Sequence, residues 1–306
     1  MENSNKAFSV KGLACIGEGE NGHVYRLDEE TIIKVMDKKT VNDALIEREK
    51  KNAREAFVLG VPTAISYQIA DVDGSPGIIY EKLEGKTIQE LVADDPERME
   101  ELVAKEARLL KRVHQIHVPE ETALSPLEEL FLERLRDVSE FMTVSEVEQL
   151  QKLIGTLSGR RNYIHGDYNH GNVIVNGKEL FLIDMFNSSY GHPMYDLMSH
   201  YMLGAQIAKA DPKAVEKLYG WKSERVLAAW DCFVEAYFEE RSAVERKMLS
   251  DMVVFYSWVR QLVYLKRLKF LTNDMRNAIV AQARSEFFPY IDEKIIDYKN
   301  EIERMR

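Results

Sequence analysis

Cysteine is scarce in this chain: Cys15 and Cys232 are the two in 306 residues, and no CxxC spacing occurs. That excludes a disulfide-stapled scaffold and a cysteine-ligated zinc site, and it points to a reducing, cytoplasmic compartment. Long apolar runs are also missing. No stretch reaches the roughly 18 uninterrupted apolar residues of a membrane-spanning helix, and Met1-Glu2-Asn3-Ser4-Asn5-Lys6 is not a basic segment leading into an apolar one. Basic excess is lacking too. With 41 Lys and Arg against 51 Asp and Glu, the net charge is −10, so the broad positive footprint required by phosphate backbones is absent. The expected partners therefore include neither nucleic acid nor membrane. The acidic balance suits a cationic small molecule, although solubility alone explains it as well.

What is present is a globular composition, 45% hydrophobic and 30% charged, with enough core for about two domains or lobes without a structural metal. The first eighty or so residues read as strands: Phe8 to Ile16, His23 to Leu27 and Thr31 to Met36, then Ala64 to Asp71 and Gly77 to Leu83 around an Asp73-Gly74 hairpin turn. One helix interrupts them. Val41 to Gly60 carries Leu45, Ala53, Ala56 and Leu59 at helical spacing and is closed by Gly60 and Pro62. After Gly85 long helical patterns take over, broken by a second hairpin with Val173-Ile174-Val175 and Leu180-Phe181-Leu182-Ile183 around Asn176-Gly177. Helices then run to the end, including Glu224 to Glu239, Val244 to Phe270 and Asp274 to Phe287.

Three stretches carry chemistry. The turn Gly17-Glu18-Gly19-Glu20-Asn21-Gly22 leads into strand-like Val24-Tyr25-Arg26-Leu27. A dinucleotide loop would lead into a helix, so a β-hairpin lid over nucleotide phosphates fits better, with glycines letting backbone N–H groups approach the phosphates. Lys34 sits within the apolar strand Thr31-Ile32-Ile33-Lys34-Val35-Met36, placed to reach phosphates if a carboxylate of the next helix holds it. Glu49 continues the Leu45, Ala53, Ala56 stripe and is the chosen partner, whereas Glu47 and Glu55 project elsewhere. The third stretch, His165-Gly166-Asp167-Tyr168-Asn169-His170-Gly171-Asn172, precedes a hairpin ending in Leu182-Ile183-Asp184. Mg²⁺ prefers hard oxygen ligands, which Asn172 and Asp184 supply, and this leaves Asp167 for the substrate. Single Asp and Asn residues are common turn formers, but the ordered set of lid, lysine, loop and strand-end aspartate is hard to explain that way.

The combination HGDYNHGN, LIDM, the GxGxxGxV lid and the TIIKV lysine resembles the aminoglycoside phosphotransferase and choline kinase family, small-molecule relatives of protein kinases. Gly166 and Met185 side with the small-molecule branch, and Gly191-His192-Pro193-Met194-Tyr195-Asp196-Leu197 is similar to a further family stretch. The resemblance covers residues 10–200. It implies an α+β, protein-kinase-like bilobal fold, with a small antiparallel β-sheet N-lobe bearing one main helix at residues 1–83 and a larger, mostly helical C-lobe at 84–306. It implies Asp167 as catalytic base or hydroxyl-orienting group, Asn172 and Asp184 as Mg²⁺ ligands, and Lys34 as phosphate anchor oriented by Glu49. Gly17, Gly19, Gly22 and Val24 form the lid. Backbone groups of about Glu81 and Leu83 meet the adenine edge, and Asp196 becomes a scaffold for the catalytic loop.

The expected activity is transfer of the γ-phosphate of ATP or GTP to a hydroxyl of a small molecule. Alternatives are a metabolic kinase of choline, homoserine, sugar or fructosamine type, and a nucleotide-binding regulator without turnover. A protein kinase is disfavoured, because Asp184 to Gly191 is too short for an extended activation segment. Asp231, Glu235 and Glu239 are candidate complements for a cationic acceptor. His114 reads as a packed core residue and His165 as a loop support, while the basic and aromatic run from Arg260 to Phe270 reads as a solvated helix face.

Overall fold

The computed structural model describes residues 7–19, 22–37, 42–268 and 271–305. The lid tip Glu20 and Asn21, the expected helix start Val41, and Lys269 with Phe270 lie outside these. Two compact units are present: one of Met1–Ile88, Glu121–Leu124 and Gly171–Ser188, the other of Gln89–Glu120, Ser125–His170 and Ser189–Arg306. The sequence suggests one cut between residues 83 and 84; the first unit also takes in the hairpin that ends near Asp184.

The first unit holds β1 (Ala7–Phe8), β2 (Cys15–Gly19), β3 (Gly22–Arg26), β4 (Thr31–Met36), α1 (Asp43–Val58), β5 (Ser66–Val72) and β6 (Ser75–Glu81). Their sheet runs β1-β5-β6-β4-β3-β2, antiparallel except where β1 joins β5 in parallel. The single strand expected over Phe8–Ile16 is therefore two, on opposite edges. The cause is local: Gly12 adopts φ +86° and Leu13 N–H closes a turn on the Val10 carbonyl at 3.0 Å, a conformation glycine accepts at little cost. The β5–β6 hairpin is as expected, with both Asp73 and Gly74 at positive φ as a type I′ turn needs.

Alternation along β4 divides its side chains between two faces. Ile33 joins Ala70, Val72 and Ile79 in one apolar cluster, with Tyr25 and Val35 packed on it. Met36 and Ile78 join Ile46 of α1 in the other, with Leu45, Ile69 and Tyr80 beside them. Thus α1 covers the face that also bears Lys34. Its first turn is capped by Asn42, whose side chain accepts from Leu45 N–H at 3.0 Å. The same unit contains the antiparallel hairpin Val173–Asn176 and Glu179–Leu182, with Lys86–Thr87 added at its edge.

The second unit is mostly helical. Met99–His114 buries Leu102, Val103, Ala107, Leu109, Leu110 and Val113 along one stripe and packs against Ser223–Tyr237. Ala243–Val263, opened by a Ser242–Glu245 capping box, packs against Met194–Tyr201 and Leu127–Val138. It ends at Val263, short of the expected Phe270. A short antiparallel pair, Asn162–Ile164 with Ser189–Gly191, lies among the helices. Among the described residues no helix is long and apolar enough to cross a membrane.

Candidate active site

In the first unit the sheet register sets the site. Gly17 faces Val24, Val24 faces Lys34, and Lys34 faces Ile78, so Gly17, Val24 and the lysine share a row across three hydrogen-bonded strand pairs, while Gly19 and Gly22 lie in the row of Met36. Gly22 is required where it stands. At φ +154° a Cβ on it would lie 2.0 Å from the Val35 carbonyl oxygen, the backbone of the neighbouring strand. At Gly17 an added Cβ would meet only ordinary contact, 3.4 Å from the Val24 Cβ.

The Lys34 ammonium donates to Glu49 Oε1 and to Asp184 Oδ1, each at 2.9 Å. Tyr80 OH donates to the same Glu49 oxygen at 3.0 Å, which follows from Tyr80 and Lys34 emerging on the face covered by α1. Glu49 is 1% exposed. Burial lifts its carboxyl above the ordinary value against the pull of Lys34. Burial opposes the Lys34 charge, yet Asp184 and Glu49 outweigh it and hold the amine above the usual lysine value. Two carboxylates around one ammonium leave the trio one negative charge in excess. Asp184 remains more open, 37% exposed at its side chain, and its backbone is left-handed at φ 62° and ψ 64°, a conformation costly for most non-glycine residues and tolerated best by Asn and Asp. Ile183 N–H donates to the Asn172 carbonyl at 3.1 Å, tying Asn172 to the strand end that carries Asp184. Asn52 of α1 braces the following turn by donating to the Phe186 and Ser188 carbonyls at 3.0 and 3.1 Å.

At the end of β6, Glu81 N–H donates to the Ile65 carbonyl at 2.9 Å, and the Glu81 carboxylate accepts from Ile65 N–H at 3.1 Å. Lys82 N–H donates to Glu30 at 2.7 Å. Leu83 follows, half-buried.

The second unit holds Asp167 on a loop anchored through its backbone. Fully buried Asp196 accepts from His165 N–H at 2.8 Å and from Gly166 N–H at 2.7 Å. His114 Nε2 lies 3.1 Å from the same carboxylate and its Nδ1 2.7 Å from Tyr237 OH. Burial pushes Asp196 up, but the His114 hydrogen bond prevails and holds its carboxyl below the usual range. His114 is thus the core residue the sequence suggests. Asp167 N–H reaches His165 Nδ1 at 3.3 Å. Further along the loop, His170 Nδ1 pairs with buried Glu106 at 2.6 Å and Tyr168 OH donates to the Glu106 carbonyl at 2.9 Å.

One expectation fails outright. Arg260 is not on a solvated face: it is 2% exposed and donates from Nη2 to Asp167 Oδ1 and from Nη1 to the Gly166 carbonyl, both at 3.3 Å. The reading holds for Lys266 and Arg267, which are exposed. Asp231 and Glu235 are exposed, and Glu239 pairs with Arg108 at 2.9 Å. The Lys34–Asp184 ion pair, the Tyr80 hydroxyl and the Glu106–His170 pair go beyond the sequence motifs; for the last, the acid on a buried helical stripe is a usable signal.

A glycine-turned antiparallel sheet with a helix-held lysine, together with a mostly helical unit carrying a buttressed HGD loop, defines a protein-kinase-like phosphotransferase fold. The phosphotransferase enzyme family model matches residues 14–230, and the chain belongs to that family. Among solved structures, the aminoglycoside phosphotransferase APH(2'')-Ib with ADP is similar at a TM-score of 0.56 and 16% identity, over 88% of this chain and 90% of that one. Amicoumacin kinase hAmiN, in complex with AMP-PNP, Ca²⁺ and Ami, is similar at 0.56 and 16%, over 94% and 90%. A choline/ethanolamine kinase family protein from Mesorhizobium loti is similar at 0.58 and 13%, over 94% and 92%. No curated protein matches the chain.

Proposed function

We propose that this phosphotransferase moves the γ-phosphate of ATP or GTP to a hydroxyl of a small molecule. The observation that carries the reading is the Lys34 ammonium 2.9 Å from both Glu49 and Asp184, in the same strand row as Gly17 and Val24. Glu49 holds Lys34 extended as the phosphate anchor, Gly17, Gly19, Gly22 and Val24 form the lid, and the Glu81 carbonyl and Leu83 backbone meet the base, since Glu81 N–H is committed to Ile65. The excess negative charge of the trio, with Asn172 and Asp184 offering hard oxygen donors, fits Mg²⁺. When bound there, the ion neutralises the phosphate oxygens. Asp167 orients the acceptor hydroxyl and accepts its proton as the oxygen–phosphorus bond forms and the bond to the departing nucleoside diphosphate breaks; positioning and fixed cations supply most of the rate. A small acceptor is favoured because only four residues, Met185 to Ser188, separate Asp184 from the strand at Ser189, which leaves no room for a long peptide-binding segment.

The test is nucleotide turnover with Mg²⁺ and ATP or GTP across a panel of small hydroxyl compounds, cationic amino alcohols and aminoglycosides included. Stimulation by one compound class that disappears in Asp167→Asn supports the reading. Full turnover in Asp167→Asn, or tight nucleotide binding with no stimulation by any compound, overturns it, the latter in favour of a regulator.

A further inference from the structure

We propose that Arg260 is a positioning residue for phosphoryl transfer, fixing the carboxylate of Asp167 in one orientation. The inference rests on the reading of Asp167 as the group that receives the acceptor hydroxyl. Arg260 belongs to the long helix Ala243–Val263, outside every motif of the family resemblance, and lies within the same compact unit as Asp167.

Its guanidinium holds two points of the loop at once: Nη2 donates to the Asp167 carboxylate and Nη1 to the Gly166 backbone carbonyl, each at 3.3 Å. Side chain and preceding peptide are therefore set by one rigid, planar group, where a lysine would offer a single flexible point charge. The guanidinium is itself braced. Nη1 also reaches Tyr264 OH at 3.2 Å, and the Tyr264 ring carries Arg260 at 4.3 Å and Arg134 at 4.0 Å from its centroid, contacts of cation–π type. A buried guanidinium is costly unless paired. Here the charge partner is the aspartate from which the proposed chemistry needs a fixed direction. Asp196, itself paired with His114, accepts the His165 and Gly166 N–H groups of the loop backbone, and Arg260 adds a direct hold on the Asp167 side chain.

The consequence lies in kcat. Misplacing a reacting group by about 1 Å costs on the order of 100-fold, so Arg260→Met lowers kcat by roughly 10- to 100-fold with little change in the nucleotide KM, since Lys34 and the lid belong to the other unit. The decisive experiment is a double-mutant cycle in single-turnover transfer, with Arg260→Met, Asp167→Asn and both together, and Arg260→Lys as the variant that keeps the buried charge. If Arg260 acts through Asp167, its removal costs no more than about twofold once Asp167 is already changed, and Arg260→Lys falls between wild type and Arg260→Met. Denaturant unfolding of Arg260→Met and Arg260→Lys, read by circular dichroism of the mostly helical unit, reports folding. Equal losses in both backgrounds, or a kcat within about twofold of wild type for Arg260→Met, overturn the proposal. Full turnover in Asp167→Asn alone is a separate result and overturns the assignment of Asp167, and the role of Arg260 with it.

Discussion

Replacing Lys34 with Met separates what the lysine does for the fold from what it does for chemistry. Glu49 is 1% exposed and receives Lys34 and Tyr80 on the same oxygen, so the Lys34→Met protein keeps a buried carboxylate with only a neutral hydroxyl against it. Removing one partner of a buried pair costs about 3–5 kcal/mol. Lys34 is 16% exposed and Asp184 37%, so water reaches part of the trio and the lower end, about 3 kcal/mol, applies. The penalty depends on pH in a defined direction. The Glu49 carboxyl is raised above its ordinary value and rises further without the ammonium, so the folded protein binds a proton that the unfolded chain releases. Stability of Lys34→Met therefore falls as pH increases above the ordinary carboxylate value, and denaturant midpoints at about pH 5 and pH 8 should diverge more than in wild type. Adding Glu49→Gln removes the buried charge and should recover most of the loss at about pH 8 while turnover stays down by about 100-fold or more. A Lys34→Met penalty that is independent of pH and untouched by Glu49→Gln would refute the reasoning.

Two further outcomes follow from single positions. Gly22→Ala forces a Cβ to within 2.0 Å of the Val35 carbonyl oxygen, so β3 must part from β4 at the lid; nucleotide Kd should rise about tenfold, roughly 1.4 kcal/mol, by titration, and unchanged affinity would remove Gly22 from the lid. Buried His192 donates from Nε2 to the Ile302 carbonyl at 3.0 Å and accepts Met194 N–H on Nδ1 at 3.0 Å, which fixes the neutral ring. Burial lowers its pKa from 6.5 to about 4. The unfolded chain binds the extra proton between those values, so stability is complete above pH 6.5 and declines toward about 4, by on the order of 3 kcal/mol. Denaturation across that window should show the slope in wild type and a shallower one in His192→Gln; equal slopes would remove His192 as its source.

How far the sequence reveals this site depends on whether a residue's surroundings are set locally. Lys34 and Glu49 are legible because strand alternation puts residue 34 on the face opposite Ile33 and helical periodicity puts residue 49 in line with Ala53 and Ala56, both fully buried. The Asp73-Gly74 hairpin is legible because its backbone demands those residue types. The three-residue strands at Asn162 and Ser189 are too short to display a period, and the β-formers on both sides of Gly12, from Phe8 to Ile16, hide the turn there. Arg260 is harder still: its burial is decided by a loop 93 residues earlier in the chain, and a cation among aromatics on a helix reads equally well as a wet face.

The missed Glu106 is the more instructive case. It sits among Leu102, Val103, Ala107, Leu109 and Leu110 on the buried stripe of its helix, the same pattern by which Glu49 announced a partner. An ionised carboxylate on such a stripe is too costly to leave unpaired, so the pattern itself requires a donor from elsewhere in the chain. For Glu49 that donor is Lys34; for Glu106 it is His170, from within the HGDYNHGN motif and 2.6 Å away. Applied to both helices alike, one physical rule leads from an acid on an apolar face to Lys34 in one unit and to the HGDYNHGN loop in the other. A buried acid at helical spacing is therefore a pointer to the site even where no motif surrounds it.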